Sequence, residues 1–226
     1  MGLGEETYMT AQWDNGKKVT IHFYNQKFNL KERQLNFRHF LPMYFDEMIG
    51  NKLHVRIADI GAGLFSTIGQ FYYNGKDRVV CDVVASDLLA DTFSEIIKAH
   101  GVKPIVPVEK QDMENLTYPD ESFDIVHCVN AIDHCSNPEK AIYEMVRVCK
   151  KGGWVYLRHY TEVGKELHYI GLHQWNITLE GKDDCKFWNA SESFSLQGGY
   201  LGFKTYIGRE FTYEPRNMVI SKLHKL

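Results

Sequence analysis

Apolar positions recur along this chain with two different periods, and the changes between them mark out its elements. Residues 1–24 show neither period and read as a partly extended lead-in. From Asn25 to Gly50 the apolar residues Phe28, Leu35, Phe37, Phe40, Leu41, Phe45, Met48 and Ile49 fall at helical spacing, and Pro42 predicts a break between two helices. Short apolar runs then alternate with amphipathic stretches. Val55–Ile60 predicts a strand that ends in Gly61-Ala62-Gly63, and Ser66–Tyr73 predicts the helix that follows. Arg78–Ser86 predicts a second strand, Asp91–Gly101 a helix stopped by its glycine, and Pro104–Val108 a third strand. Phe123–Asn130 is apolar nearly throughout, as a buried parallel strand should be. Pro138–Lys150 predicts an amphipathic helix with proline in its first turn, and Trp154–Tyr160 a fifth strand. Strand and helix in alternation with short connections predict an α/β doubly wound, mostly parallel sheet with helices on both faces. The tail carries further strand-like runs, Trp175–Leu179, Thr205–Ile207 and Asn217–Leu223, expected to add an antiparallel edge.

Composition narrows the class. The 226 residues, 44% hydrophobic, are enough for one α/β domain with a sizeable core, expected to span 1–226. Within it, 1–52 would be a helical lead-in, 53–160 the binding core, and 161–226 the acceptor-site segment with the last strands. A net charge of −3 offers no overall basic field for nucleic acid. No apolar run approaches the roughly 18 residues of a membrane span, and the polar start MGLGEETYMT is unlike a secretory signal. The 5 cysteines (81, 128, 135, 149 and 185) include no CxxC pair and read as reduced core thiols. A cytoplasmic protein is therefore expected, and the Asn-x-Ser/Thr triplets at Asn115, Asn176 and Asn189 are read as chance matches. Oligomeric state is left open.

Ligands of such a sheet sit beyond the carboxyl ends of its strands, where strand order reverses. Three segments fall there. In Asp59-Ile60-Gly61-Ala62-Gly63 the glycines admit a bulky ligand close to the backbone, and Asp59 can balance an ammonium or order the loop. Asp87, followed by Leu88, ends the second strand with a carboxylate suited to both hydroxyls of a ribose. After the third strand, Asp112 can accept from an adenine amino group, next to Met113. Ser66 stands where a dinucleotide-binding Gly-x-Gly-x-x-Gly would need its third glycine, and a carboxylate is a poor neighbour for pyrophosphate. A cofactor with a sulfonium, an ammonium and no phosphate fits better.

The stretches VRIADIGAGLFSTIG, VVASDLLAD, QDMENLTYPDESFDIVHCVNAIDH and AIYEMVRVCKKGGWVYLRH, over about residues 53–160, resemble consecutive motifs of the class I methyltransferases that use S-adenosylmethionine (SAM). The nearest branch is methyltransferase type 11, and Asp112-x-x-x-Leu116-x-x-x-Asp120-x-x-Phe123-Asp124 is the most specific stretch. The resemblance implies a Rossmann-like seven-stranded sheet with one reversed strand. It implies that Asp59, Gly61 and Gly63 hold the methionine part, Asp87 the ribose, and Asp112 with the Met113 backbone the adenine. Asn130 would lie under the methionine end through its backbone. Phe65 departs from the family, which has a small residue there.

Fold does not fix the acceptor. Asp133-His134 follows the fourth strand, His159 ends the fifth, and His168-Tyr169-Ile170-Gly171-Leu172-His173-Gln174-Trp175-Asn176 comes next. An alcohol is a poor nucleophile until its proton leaves, so a base titrating near neutrality is useful; His134 and His173 lead, with His159 and His168 behind them and Asp133 as orienting carboxylate. A divalent metal, Mg²⁺ or Mn²⁺, gripping a diol through Asp133, His134 and His173 is the alternative. The segment GLHQWN resembles a motif of methyltransferases encoded among polysaccharide genes, which implies O-methylation of a sugar hydroxyl. His168, Tyr169, Trp175 and Asn176 would then contact the sugar, although Trp175 and Trp188 can equally be core. Two other readings stay open: a methyltransferase for a small aromatic, quinone-like or lipid-like acceptor, and a non-catalytic SAM-binding subunit. Nucleic-acid methylation ranks lower, because Asn130-Ala131-Ile132-Asp133 is not the Asn/Asp-Pro-Pro-Tyr/Phe motif. Lys150-Lys151 reads as a helix C-terminus complementing its dipole, and Arg33, Arg38 and Tyr44 as part of the helical lead-in.

Overall fold

The computed structural model describes residues 14–22, 45–66, 68–74, 77–181, 184–196, 203–211 and 217–226. Most of the expected lead-in helix, including Arg33, Arg38, Pro42 and Tyr44, lies outside them. Residues 14–22, expected as part of a partly extended stretch, form a helix, α1. The short α2 (Asp46–Ile49) leads into β1 (His54–Ile60). There follow β2 (Phe71–Asn74), β3 (Asp77–Asp87), α3 (Ala90–Ala99), β4 (Val108–Lys110) and β5 (Phe123–Val129). Then come α4 (Pro138–Val148), β6 (Cys149–Tyr160) and the four-residue α5 (Val163–Glu166). Five strands end the chain: β7 (Asn176–Glu180), β8 (Asp184–Trp188), β9 (Ser193–Ser195), β10 (Phe203–Phe211) and β11 (Asn217–Lys225).

The main sheet runs β10-β11-β6-β5-β1-β3-β2, with β4 pairing to the carboxyl end of β3. β1 is parallel to β3 and to β5, β5 to β6, and β3 to β4. β11 is the reversed strand, antiparallel to both β6 and β10, and the β10-β11 pair forms the expected antiparallel edge with β10 outermost. The sheet is thus mostly parallel and Rossmann-like. A second sheet, β7-β8-β9, is antiparallel.

Three local expectations are corrected. The helix expected over Ser66–Tyr73 is replaced by β2, which pairs antiparallel with the start of β3 from Phe71↔Val80 to Asn74↔Asp77. Ile68, Phe71 and Tyr72 have helical spacing, but consecutive aromatics suit a pleated edge, and the partner strand decides. The third strand begins at Val108 rather than Pro104, with Ala85↔Val108 as its first pair. Pro104 and Pro107 have no N–H to donate to a ladder. The helix expected to reach Lys150 ends at Val148, and β6 starts at once with Cys149. Its other end is as the sequence suggests: Pro138 opens the helix, and the Asn137 side chain accepts from the Lys140 N–H at 2.9 Å.

Successive residues of β1 serve opposite faces. Val55 and Ile57 pack with Phe45, Met48 and Ile49 around α2, together with Ile125 and Tyr156. Ala58 and Ile60 pack with Ile142 and Met145 of α4 and with Trp175, Ile177 and Phe187 of the small sheet and its approach. Both faces are covered, which is why β5 reads as a continuous apolar run. Each large side chain fully buried here contributes roughly 1.5–3 kcal/mol of transfer free energy.

Candidate functional site

The carboxyl ends of β1, β3 and β5 border a cavity of about 380 Å³, inside the usual range of about 300–1,000 Å³ for a ligand pocket. Gly61, Gly63, Asp87, Leu88, Asp112, Met113 and Asn130 all line it. Of the eight residues singled out for the cofactor, Asp59 alone is not among the lining residues. Its buried carboxylate bonds His127 Nδ1 at 2.8 Å and accepts from Ser66 Oγ at 2.6 Å. Here Asp59 ties the glycine loop to the underside of β5, where His127 stacks between Phe45 and Tyr156. Through these two bonds it acts on the loop's shape.

The loop's course is set by backbone bonds. Gly61 N and Ala62 N both donate to Ser86 O, at 2.8 and 2.9 Å. Gly61 has φ +71°, and a Cβ built on it would lie 2.3 Å from the Ala131 Cβ. No other residue fits both that dihedral and that contact. Asp87 Oδ2 accepts from Gly63 N at 3.0 Å and Oδ1 from Leu89 N at 2.8 Å, which fixes the carboxylate at the cavity wall. Burial pushes the Asp87 carboxyl above its usual range, with Asp59's charge adding to the effect, and the two backbone bonds offset only part of it. Each oxygen keeps a lone pair with which to accept from a hydroxyl. Phe65 is buried with Leu64, Leu89, Phe93 and Leu172 beside the cavity.

Across the cavity, the stretch 112–124 has a structural use for each marked residue. Leu116 and Phe123 are buried, Asp120 pairs with Arg147 at 2.7 Å, and Asp124 pairs with Lys52 and Lys150. The Arg147 guanidinium also donates to the carbonyls of Leu116 and Tyr118, each at 2.8 Å, and binds Glu144. Glu144 in turn accepts from Leu116 N at 2.9 Å. One arginine thereby holds the loop that carries Asp112 and Met113. Asn130 adopts φ +50°, a conformation its short polar side chain tolerates, and its Oδ1 accepts from Tyr160 N at 3.2 Å.

The far end of the cavity is lined by Ala131, His134, Cys135, Ser136, Leu172 and Gln174. His134 Nε2 lies 3.2 Å from His173 Nδ1, which lies 2.6 Å from Asp133 Oδ2. Gln174 N and Trp175 N both donate to the Asp133 carbonyl, so the later segment is stitched onto the turn after β5. Burial alone would raise the Asp133 carboxyl, but the nearby His134 and the His173 bond outweigh it and hold it at about 2. Burial, with His173 beside it, lowers His134 below the usual histidine value despite Asp133. His159 is 2% exposed, is lowered to about 4 mainly by burial, and has no hydrogen-bond partner for either ring nitrogen among the described residues.

The expected acceptor segment divides by parity. Leu172 and Gln174, which were not singled out, line the cavity, while His173 turns to Asp133. Trp175 is 3% exposed and packs edge-on against Phe194, so it presents no free face for sugar stacking. Asn176 is wholly buried, bonding Lys165 N, the Tyr169 hydroxyl and the Trp188 carbonyl. His168 is exposed and, like Tyr169, lies outside the cavity lining. Sequence reasoning also missed Gln111, Glu114 and Phe93 at the wall, and Thr20 of α1, which reaches it from the N-terminal side.

Residues 58–157 match the family described as a methyltransferase domain. Phosphatidylethanolamine N-methyltransferase from Cereibacter sphaeroides is 35% identical over 100 residues, 44% of this chain and 48% of that protein. Ubiquinone biosynthesis O-methyltransferase from Bordetella avium is 27% identical over 116 residues, 50% of this chain and 46% of that protein. The chain thus spans about half the length of these curated relatives. A SAM-dependent methyltransferase structure from Thermotoga maritima aligns with TM-score 0.46 and 21% identity over 91% of this chain and 99% of its own. The matched segment, 58–157, includes the glycine loop, Asp87, Asp112, Met113 and Asn130, so the stretch of this chain that is similar to a methyltransferase domain is the one that builds the cavity wall.

Proposed function

We propose that this protein transfers the methyl group of SAM to a hydroxyl oxygen of a small acceptor. The observation that carries this reading is one continuous cavity with Gly61, Gly63, Asp87 and Met113 at one end and His134 at the other. Methyl transfer is an in-line displacement at a carbon already activated by a sulfonium, so holding donor and acceptor in line supplies much of the acceleration. Gly61 and Asn130 crowd the methionine end, Asp87 takes the ribose hydroxyls, and the Asp112-Met113 turn takes the adenine. The remaining need is departure of the acceptor's proton. A lowered His134, with the charged Asp133 behind it, offers a neutral imidazole lone pair at the cavity wall near pH 7.

The acceptor class suggested by the GLHQWN segment is a sugar hydroxyl of a glycan or glycoconjugate, and Gln174 gives that segment one polar group at the cavity. Burial of Trp175 and Asn176 removes the stacking and amide contacts that would have strengthened it. A second reading is favoured by the apolar wall of Leu88, Leu89, Phe93 and Leu172: a quinol-like, aromatic or lipid-like acceptor, in line with the activities named for the relatives. The test is S-adenosylhomocysteine release with a panel of mono- and oligosaccharides, catechols, quinols and ethanolamine derivatives. Turnover confined to hydroxyl acceptors and lost in His134→Ala supports the proposal. Turnover on amines alone, or none with any acceptor while SAM binds, contradicts it.

A further inference from the structure

The three side chains at the acceptor end are arranged in a way that hydrogen bonding does not account for. His173 Nδ1 is 2.6 Å from Asp133 Oδ2 and 3.2 Å from His134 Nε2, and the third side, His134 Nε2 to Asp133 Oδ2, is 3.7 Å. These lengths put an angle of about 78° at His173 Nδ1, so one N–H can point along only one of its two contacts. With the proton on Nδ1 the contact to His134 goes unmade, and with it on His134 the Asp133 oxygen faces a bare lone pair. A single cation would satisfy all three atoms. The point equidistant from them lies about 1.9 Å from each, so an ion about 0.9 Å out of their plane sits about 2.1 Å from every donor, the bond length of zinc to imidazole nitrogen and carboxylate oxygen.

From this geometry we propose that Asp133, His134 and His173 form a binding site for a divalent transition-metal ion that holds the acceptor's oxygen beside the methyl donor. The inference rests on the methyltransferase reading for its role, though not for the site itself. Two imidazoles and one carboxylate on a single face leave the opposite coordination positions open, and His134 lies on the cavity wall. Of the Mg²⁺ and Mn²⁺ considered from sequence, two imidazoles favour Mn²⁺, with Zn²⁺, Fe²⁺ or Co²⁺ beside it, over a cation that prefers oxygen alone. The donors are held in place by the two backbone bonds that fasten the His173 segment to the Asp133 carbonyl. A second, separate sign is His159, buried with both nitrogens unpartnered among the described residues and within the electrostatic reach of Asp133 and His134. Buried polar atoms of this kind point to a bound water or ion nearby.

In the step this site would assist, the acceptor hydroxyl coordinates the ion and its acidity rises. Because the His134 lone pair is then given to the ion, the ion takes over from His134 as the activating group and the proton passes to water. The oxygen lone pair then forms the O–CH₃ bond as the S–CH₃ bond breaks and its electron pair returns to sulfur. The products are a methyl ether and neutral S-adenosylhomocysteine, with the ion's oxidation state unchanged.

The experiment is a Co²⁺ titration of chelator-treated, full-length protein, read by its visible absorption, with Zn²⁺ as competitor and SAM binding measured on the same samples by calorimetry. His134→Ala and His173→Ala are the variants, because both side chains are about 30% exposed and their loss leaves the core intact. The proposal expects one equivalent of Co²⁺ with ligand-field bands that Zn²⁺ abolishes, and no such bands in either variant while SAM still binds. Absence of Co²⁺ bands in a protein that binds SAM overturns the metal site and leaves the methyltransferase reading standing. Bands of equal intensity in wild type and variants overturn it too. The expected bands in a protein that does not bind SAM support the site and sink the methyltransferase reading.

Discussion

Replacing Gly61 by alanine adds one methyl group at the narrowest point between β1 and the turn after β5. Two penalties follow from the structure. At φ +71° an L-residue has its Cβ against its own backbone, at a cost of roughly 1–2 kcal/mol. The added Cβ would also lie 2.3 Å from the Ala131 Cβ and 3.5 Å from the Met113 Cε, and forcing such an overlap costs typically 1–3 kcal/mol more. The total expected for Gly61→Ala is about 2–5 kcal/mol. Gly101, just past the end of α3, is the internal control: its φ is +62°, but nothing lies within 4 Å of a built Cβ, so Gly101→Ala should cost only the dihedral share, about 1–2 kcal/mol. Urea unfolding of both variants measures the difference, and calorimetry measures SAM binding. Gly61→Ala should bind SAM at least 10-fold more weakly, because both Gly61 and Ala131 line the cavity, whereas Gly101→Ala should bind as wild type. Equal destabilisation by the two substitutions, or wild-type SAM affinity in Gly61→Ala, would refute this account of the loop.

Three further outcomes are expected. Asp87→Asn should weaken SAM binding roughly 10- to 100-fold, the loss of one charge-assisted bond of about 1.5–3 kcal/mol, and an unchanged affinity would remove Asp87 from the ribose site. Arg147→Leu should lower stability by about 2–4 kcal/mol, since it frees the carbonyls of Leu116 and Tyr118 and unpairs Glu144; a urea midpoint equal to wild type would contradict that. His159 binds a proton at about 4 in the folded chain and near 6.5 when unfolded, so stability present above pH 6.5 is lost as the pH falls toward 4. The loss should approach 3 kcal/mol, at about 1.4 kcal/mol per pH unit, and His159→Leu should flatten it; urea midpoints at pH 7.5 and 4.5 for both proteins provide the check.

What could be read from the sequence follows the range of the interactions involved. β1, β5 and β6 announced themselves because strands covered on both faces are apolar along their length. One end of the cavity was legible because its lining residues Gly61, Gly63, Asp87 and Asp112 stand at or just after the carboxyl ends of strands, a position that topology alone supplies. Local chemistry was less reliable where pairing decided. The aromatic triplet Phe71-Tyr72-Tyr73 became an edge strand only because residues 77–80 lie opposite it. In β8 the alternation of buried Cys185 and Phe187 with less buried neighbours was present, but in a run too short to notice. The acceptor end is the hardest part. Asp133 and His173 meet across 40 residues of chain, and no spacing rule links them. Segment 172–175 alternates between cavity and packing, so Leu172 and Gln174 reach the wall while the more conspicuous Trp175 goes to the core.

The most direct measurement of the central claim is a calorimetric titration of the wild-type chain with SAM, repeated with S-adenosylhomocysteine as competitor and with Gly61→Ala. The account predicts one equivalent of SAM, displaced by S-adenosylhomocysteine and weakened at least 10-fold in Gly61→Ala. No heat of binding from a folded wild-type chain, or binding that Gly61→Ala leaves untouched, would contradict a SAM site at the carboxyl ends of β1, β3 and β5.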